Sequence, residues 1–408
     1  MISFEEALSR LLGAVRPLGA ERVPLEEASG RVLAEDVVAA DAMPAFDHSS
    51  MDGYAVATAD LGGSGPFTLP VRGESAAGGD LPRLERGAAC RIFTGARLPE
   101  GADAVVPQED VERAGDRISL REAPRAGAWL RRRGADLAAG AVALARGARL
   151  TPGRVALAAA LDRPHLLVAR RPVVTVLCSG DELRAPGEPG RPGSIAESNG
   201  YFVAAVGRSA GAVVRIAPFV RDEADSAAAA VAEALRGADL VVTVGGVSVG
   251  DRDVIRPALE AAGVTLDFWR VAIKPGKPLC VGRAPAPAGA AVHVLGLPGN
   301  PASASLTFTL FGVPLLRALQ GDASPLPRRV VARVRVASGA WKRQPGRAEF
   351  VRARLESAGG ALVACVLPNQ ASGAVTSFAE AEALLVVPAD REEIRDGDQL
   401  EAIRLADA

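Results

Sequence analysis

The stretch DLVVTVGGVSVGDRD, residues 239–253, decides how this 408-residue chain is read. Residues 240–244 are apolar and largely β-branched, and the run stops at Gly245-Gly246, as a buried strand does where it ends in a loop. HVLGLPGNPASAS at 293–305 repeats the grammar: an apolar run, a Pro298-Gly299-Asn300 turn and Pro301, then helical spacing. Strand, glycine loop and helix start bring backbone N–H groups and the positive end of a helix together, which suits an anion. Between the two lies RVAIKPGKPL (270–279), where Lys274 and Lys277 sit in a proline-stiffened turn. Asp251 and Asp253 add hard oxygen donors of the kind a divalent cation takes. Singly, each has a plain structural explanation: a tight turn, a solvated lysine loop, an Asp that caps a helix. Their conjunction in one unit points to a phosphorylated ligand handled with a metal.

Working outward, strands are expected at 173–177, 212–217, 240–244, 264–271 and 292–295. Helices are expected at 198–209, 223–235, 253–262 and 302–319. This alternation predicts a mostly parallel sheet covered on both faces, with ligands outside the carboxyl ends of its strands. Gly180-Asp181-Glu182, Asp222, the 245–253 loop and the 296–300 loop all follow such strands.

On either side the grammar changes. Ser3-Phe4-Glu5-Glu6 fits a capping box that opens a helix ending near Pro17. A short helix is expected at 24–28, an extended run at 31–40, and a helix from Thr151-Pro152 to about 161. From 45 to 140 only short strands are expected, at 67–71, 89–94, 104–107 and 117–120, with Ala114-Gly115-Asp116 as a hairpin turn. Asp52-Gly53 reads on spacing as another hairpin turn. Arg131-Arg132-Arg133 reads as a solvated edge. Beyond 324 the strands 330–336, 349–354, 361–367 and 383–387 predict a small β-barrel or sandwich, and 367–388 reads as buried β core. The expectation is an α/β multidomain chain. It has a small helical N-terminal domain (1–44 with 141–171), an inserted β-rich domain (45–140), a parallel-sheet α/β domain (172–323) and a C-terminal β-barrel domain (324–408).

Composition narrows the classes. Hydrophobic residues make up 49% and charged residues 23%, a globular balance, and a formal net charge of −1 gives no basic field for nucleic acid. Aromatics are 4%, so Val, Leu and Ala must fill the core. Cys90, Cys178, Cys280 and Cys365 are far apart with no CxxC spacing, which fits inert thiols in a reducing cytoplasm. MISFEEALSR has no apolar signal-peptide core, and no uncharged run approaches the roughly 20 residues of a membrane span.

SSMDGYA (49–55), IFTGA (92–96), RRRGAD (131–136), SGDEL (179–183), GGVSVGD, AIKPGKP, LPGNP and the C-terminal run together resemble the molybdopterin molybdotransferase family, the MoeA and gephyrin E-domain proteins. The resemblance covers nearly the whole chain. It implies a MogA-like α/β domain and insertion of molybdate into adenylylated molybdopterin, releasing AMP and giving molybdenum cofactor, with Mg2+ as cofactor. It implies that Asp52, Glu182, Asp222, Asp253, Lys274 and Lys277 serve catalysis, with Glu182 and Asp253 holding the metal. Substrate binding would fall to Thr94, Arg131, Asp136, Gly245, Gly246, Ser248, Arg270, Pro298, Gly299, Asn300 and Pro301. A homodimer with a shared active site is implied, with the molybdopterin adenylyltransferase as a candidate partner. Arg270 stands where the family often has Lys, and Arg252 and Val254 stand where an aromatic is common. An adenylyltransferase on the same α/β domain would lack the two β-rich domains. A pyrophosphatase or amidase on it would lack SSMDGYA and IFTGA. A gephyrin-like scaffold would carry a long disordered linker, which is absent.

Overall fold

Valine-rich runs build the central sheet: β1 (Val173–Cys178), β2 (Val213–Ile216), β3 (Leu240–Val244), β4 (Thr265–Arg270), β5 (Pro278–Pro285) and β6 (Ala291–Leu297). This computed structural model describes residues 1–246, 254–286 and 291–407. The strand order is β2-β1-β3-β6-β5-β4. β2, β1, β3 and β6 run parallel, while β5 and β4 add antiparallel to the edge. The sheet is thus parallel only through its first four strands. β5 is not expected from sequence, because a run bounded by Pro278 and Pro285 and interrupted by Gly282 reads as a loop.

Every residue of β3 is buried, as a strand covered on both faces requires. Alternation decides which side each residue feeds. Val174, Val176, Leu240 and Val242 join one core with α2 (Asn199–Ser209), α5 (Pro301–Thr307) and α6 (Val313–Leu319). Leu177, Val241 and Val294 join the other with α3 (Ala224–Leu235) and α4 (Ile255–Ala261). α5 and α6 are joined by a π-helical turn, Phe308–Gly312. Pro314 there has no N–H for the preceding turn, a common reason for local widening. Pro301–Leu319 is long and apolar enough to cross a bilayer, yet 89% of it is buried in the fold, as for a core helix.

The N-terminal helix α1 (Phe4–Gly13) is capped by Ser3, whose Oγ accepts the Glu6 N–H at 3.0 Å. Phe4 packs edge-on against Phe311 at 5.5 Å and Phe350 at 5.1 Å, so α1 belongs to the same core. Residues 24–28, expected as a helix, form only the 3-10 turn Leu25–Glu27 after a strand that pairs with His165–Ala169.

Strands β7 (Arg329–Arg335), β8 (Ala348–Ala358), β9 (Ala361–Val366), β10 (Ala383–Val387) and β11 (Gln399–Arg404) pair in the cycle β8-β9-β7-β11-β10 and back to β8. This is a closed five-stranded barrel, filled by Ala332, Val334, Val351, Ala353 and Leu385. The 367–388 run is not all β: it contains the short helix Val375–Glu380.

Met1–Glu35, Arg146–Pro152 and His165–Ala408 form one compact unit, and Asp36–Ala145 with Gly153–Pro164 the other. The second unit carries a six-stranded sheet ordered Ala104–Pro107, Gly53–Val56, Ala89–Ile92, Phe67–Ser75, Arg117–Leu120, Val111–Ala114. Its last two strands form the hairpin expected at Gly115. Asp52-Gly53 is not a hairpin turn. Gly53 opens an interior strand, and a Cβ there would stand 2.0 Å from the Val106 carbonyl oxygen.

Candidate active site

The carboxyl ends of β1, β2 and β3 open on a cavity of about 300 Å³. The Ser179 N–H donates to the Val244 carbonyl at 3.0 Å and the Gly180 N–H to the Val220 carbonyl at 3.3 Å, so three strand ends are tied together. Gly245 and Gly246 have φ of 84° and 62°. A Cβ at 245 would lie 2.7 Å from the Ser179 carbonyl oxygen, and one at 246 would lie 2.5 Å from Ile255 Cγ1. Only glycine fits both the dihedral and the space. The Gly245 N–H reaches the Leu297 carbonyl at 3.1 Å, and Asn199 Nδ2 donates to the Gly299 carbonyl at 2.8 Å. The two glycine loops and the start of α2 therefore share one rim.

Of the expected residues, Glu182, Asp222, Gly245, Gly246, Gly299 and Pro301 line this cavity. Pro298 is buried beside them and Asn300 is exposed. Ser248, Asp251 and Asp253 lie outside the described residues. Glu182 and Asp222 are hard oxygen donors, and Mg2+ often needs only one or two carboxylates beside its waters and phosphates. Among the described residues no group of three such side chains gathers into a metal cluster.

Lys274 and Lys277 do not line the cavity. Their turn joins β4 to β5, and Ile273-Lys274 pairs with Ala348-Glu349 at the start of β8. Lys274 Nζ lies 3.0 Å from Glu349 Oε1, while Glu349 Oε2 accepts from Arg343 Nε at 2.9 Å. Glu349 and Arg343 are buried (side chains 5% and 1% exposed), whereas Lys274 is 47% exposed. Arg270 and Lys277 are exposed. A Cβ at Gly276 would be 2.5 Å from Thr307 Cγ2, so the lysine turn packs on α5. Against the same helix lies the 370–372 loop, through the Ala302 N–H to the Ser372 carbonyl at 2.9 Å. That loop takes Arg352 Nε at Gln370 Oε1 (3.2 Å) and Nη2 at the Ala371 carbonyl (3.1 Å). Arg352 is 1% exposed, and its Nη1 has no hydrogen-bond partner among the described residues.

In the second unit Asp52 and Thr94 are brought together. Asp52 Oδ1 accepts the Thr94 N–H at 2.7 Å and the Thr94 hydroxyl at 2.8 Å, and these bonds hold the exposed carboxyl below its usual range. Arg131 donates to Asp136 at 2.6 Å, and Arg132 to Asp47 at 2.6 Å, so the arginine run is not simply solvated. Sequence reasoning missed Ser179, Glu197 and Asn199, which line the cavity, and Glu349, Arg343 and Arg352. Glu197 directly precedes a helix that was expected, which was its only signal.

Carboxylates, glycine loops and a helix start at the carboxyl edge of a largely parallel sheet define an α/β ligand-binding domain. Family profiles then match almost end to end: "MoeA N-terminal region (domain I and II)" over 2–161, "Probable molybdopterin binding domain" over 175–318 and "MoeA C-terminal region (domain IV)" over 329–405. The chain is 37% identical to molybdopterin molybdenumtransferase 2 of Mycobacterium tuberculosis, over 97% of each chain. It is 37% identical to the molybdopterin molybdenumtransferase of Haemophilus influenzae, over 79% of this chain and 78% of that one. A crystal structure of the molybdopterin biosynthesis MoeA protein of Pyrococcus horikoshii superposes with a TM-score of 0.85 at 29% identity, covering 99% and 100%. The chain belongs to the molybdopterin molybdenumtransferase family and is a transferase.

Proposed function

We propose that the protein inserts molybdate into adenylylated molybdopterin, releasing AMP and giving molybdenum cofactor, in a Mg2+-dependent reaction in the cytoplasm. The observation that carries this is the cavity at the ends of β1, β2 and β3. There Glu182 and Asp222 meet the N–H-rich Gly245-Gly246 and Gly299 loops. The loop amides orient the substrate, and the cations near α5 take its anions. Exposed Lys277 and the half-exposed Lys274 supply that charge. Each charged hydrogen bond contributes about 1.5–3 kcal/mol. Glu182, with Asp253 and Asp222, would hold Mg2+, which when bound would neutralise charge on the phosphoanhydride.

Asp52, Thr94, Arg131 and Asp136 would complete the site of a second copy of the chain, giving a homodimer with two shared sites. Their support is the SSMDGYA, IFTGA and RRRGAD resemblance and the constrained Asp52 carboxylate. The molybdopterin adenylyltransferase would hand over the adenylylated substrate directly. The test is AMP release from adenylylated molybdopterin with molybdate and Mg2+. Release that requires both supports the reading, and its absence in folded protein overturns it.

A further inference from the structure

The helix α3 covers its side of the central sheet unevenly. It packs over β1 and β3, while on the edge strand β2 Val213 stays 45% exposed. Between helix and sheet lies a cleft of about 460 Å³. Leu177 and Phe219 bound it on the sheet side, and Ala229, Ala230 and Ala234 on the helix side. An alanine side chain ends at Cβ, so the helix sits close to the sheet without filling the space beside Thr175. The cleft shares no lining residue with the cavity at the ends of β1, β2 and β3.

Two donors stand side by side in it. Thr175 of β1 and Arg215 of β2 are register partners in a parallel pair, and both line the cleft. Their neighbours Val174, Val176 and Val214 feed the core on the other face, so alternation turns Thr175 and Arg215 toward α3. Thr175 is 8% exposed, and its hydroxyl has no hydrogen-bond partner among the described residues, yet it is not sealed from the cleft. Arg215 is exposed and forms no ion pair or hydrogen bond among the described residues. The other charges at the rim cancel, because Glu233 and Arg236 pair at 2.8 Å. One uncommitted guanidinium therefore sets the sign of the cleft.

An apolar slot with a guanidinium and a hydroxyl at one end matches a small molecule with a flat apolar body and a single carboxylate. The body removes alanine and leucine surface from water, and the carboxylate takes charge-assisted hydrogen bonds from Arg215 and Thr175. A bare inorganic anion would leave the apolar walls unused, and a cation would face Arg215. We propose that this cleft is a second ligand site, which takes a small apolar carboxylate with its charge on Arg215 and Thr175. The proposal stands independently of the transferase reading.

The test uses the full-length chain and two probes, 2-naphthoate and its uncharged analogue 2-naphthamide, titrated by ligand-detected NMR. Wild type should bind naphthoate more tightly than naphthamide by a factor on the order of ten. Arg215→Gln should lose most of that ratio, and Thr175→Val part of it. Ala229→Leu fills the cleft from an exposed helix position and should lose binding of both probes. Thermal melts report whether each variant is folded. Arg215 lies exposed on an edge strand, so Arg215→Gln alone decides the charge reading even if another variant fails to fold. No naphthoate binding in wild type, equal affinity for the two probes, a wild-type ratio in Arg215→Gln, or undiminished binding by folded Ala229→Leu would overturn the site.

Discussion

Replacing Glu349 by Gln should destabilise the larger unit far more than removing Lys274, although both form one ion-pair chain. Arg343 and Glu349 are enclosed, with side chains 1% and 5% exposed and 2.9 Å between them. Taking one partner from a buried pair costs about 3–5 kcal/mol, because the other charge is left without compensation. Arg343 also donates to the carbonyls of Pro388, Arg391 and Arg347, which hold it in place after the substitution and favour the lower figure. At about 2–4 °C per kcal/mol for a unit of this size, a loss of about 3 kcal/mol lowers the melting temperature by roughly 6–12 °C. Lys274 is 47% exposed, so its bond to Glu349 is screened and contributes at most about 1 kcal/mol. Lys274→Ala should therefore melt within about 4 °C of wild type while binding the adenylylated substrate more weakly. Thermal melts of both variants, with equilibrium binding of the substrate, decide the matter. Equal losses of melting temperature, or unaltered substrate affinity in Lys274→Ala, would refute the division of roles.

Further outcomes follow from other groups. Asp253→Asn should abolish AMP release without a change in melting, and normal turnover at ordinary Mg2+ would remove the metal assignment. Thr94→Val deletes one of two donors to Asp52, so an NMR titration should show that carboxyl moving upward from its lowered position. His293 is 4% exposed, and burial lowers its pKa from 6.5 to about 4. Unfolded chains take up that proton first, so its contribution to stability is present above pH 6.5 and lost as pH falls toward 4, on the order of 3 kcal/mol in all. An imidazole titration midpoint above 6 would falsify this. Finally, mixing inactive Asp52→Ala and Asp253→Asn chains should restore roughly a quarter of the sites if each site draws on two chains, and none if it is built within one.

The central parallel strands β1 and β3 were legible because both their faces are buried. Runs such as 240–244 carry no charge and only one polar residue, the β-branched Thr243, and β3 and β10 match their expected limits. β5 was hidden by its own prolines. β11 was hidden by the charged residues of QLEAIR, which alternate outward from a barrel interior. The cavity was half legible. Glycines and carboxylates after strands announce a loop site, and Glu182, Asp222, Gly245, Gly246 and Gly299 met there. No local pattern reports that Glu349 binds Lys274, since 75 positions separate them (349 minus 274) and only the pairing of Ile273-Lys274 with the start of β8 joins them. Arg352 is likewise invisible, because an arginine in a strand reads as an outward side chain until the 370–372 loop covers it.

What joins the acidic cavity to the cations is α5. Its first residue, Pro301, lines the cavity, and its second, Ala302, bonds the loop that carries Arg352 through Ala371. Its last, Thr307, packs under Gly276 between the two lysines and turns its hydroxyl back to the Ser303 carbonyl at 2.8 Å. Ala302 through Thr307 are all buried, so the helix is clamped along its length. On the proposed function, a substrate that reaches from the cavity to the lysines needs its contacts at two fixed places, and a flexible loop could not hold that spacing. A rigid helix behind the Pro298-Gly299-Asn300 turn can. The helical spacing seen in 302–319 thus does more than fill a core: its first residue borders the cavity and Thr307 backs the lysine turn, so it fixes the distance between the two.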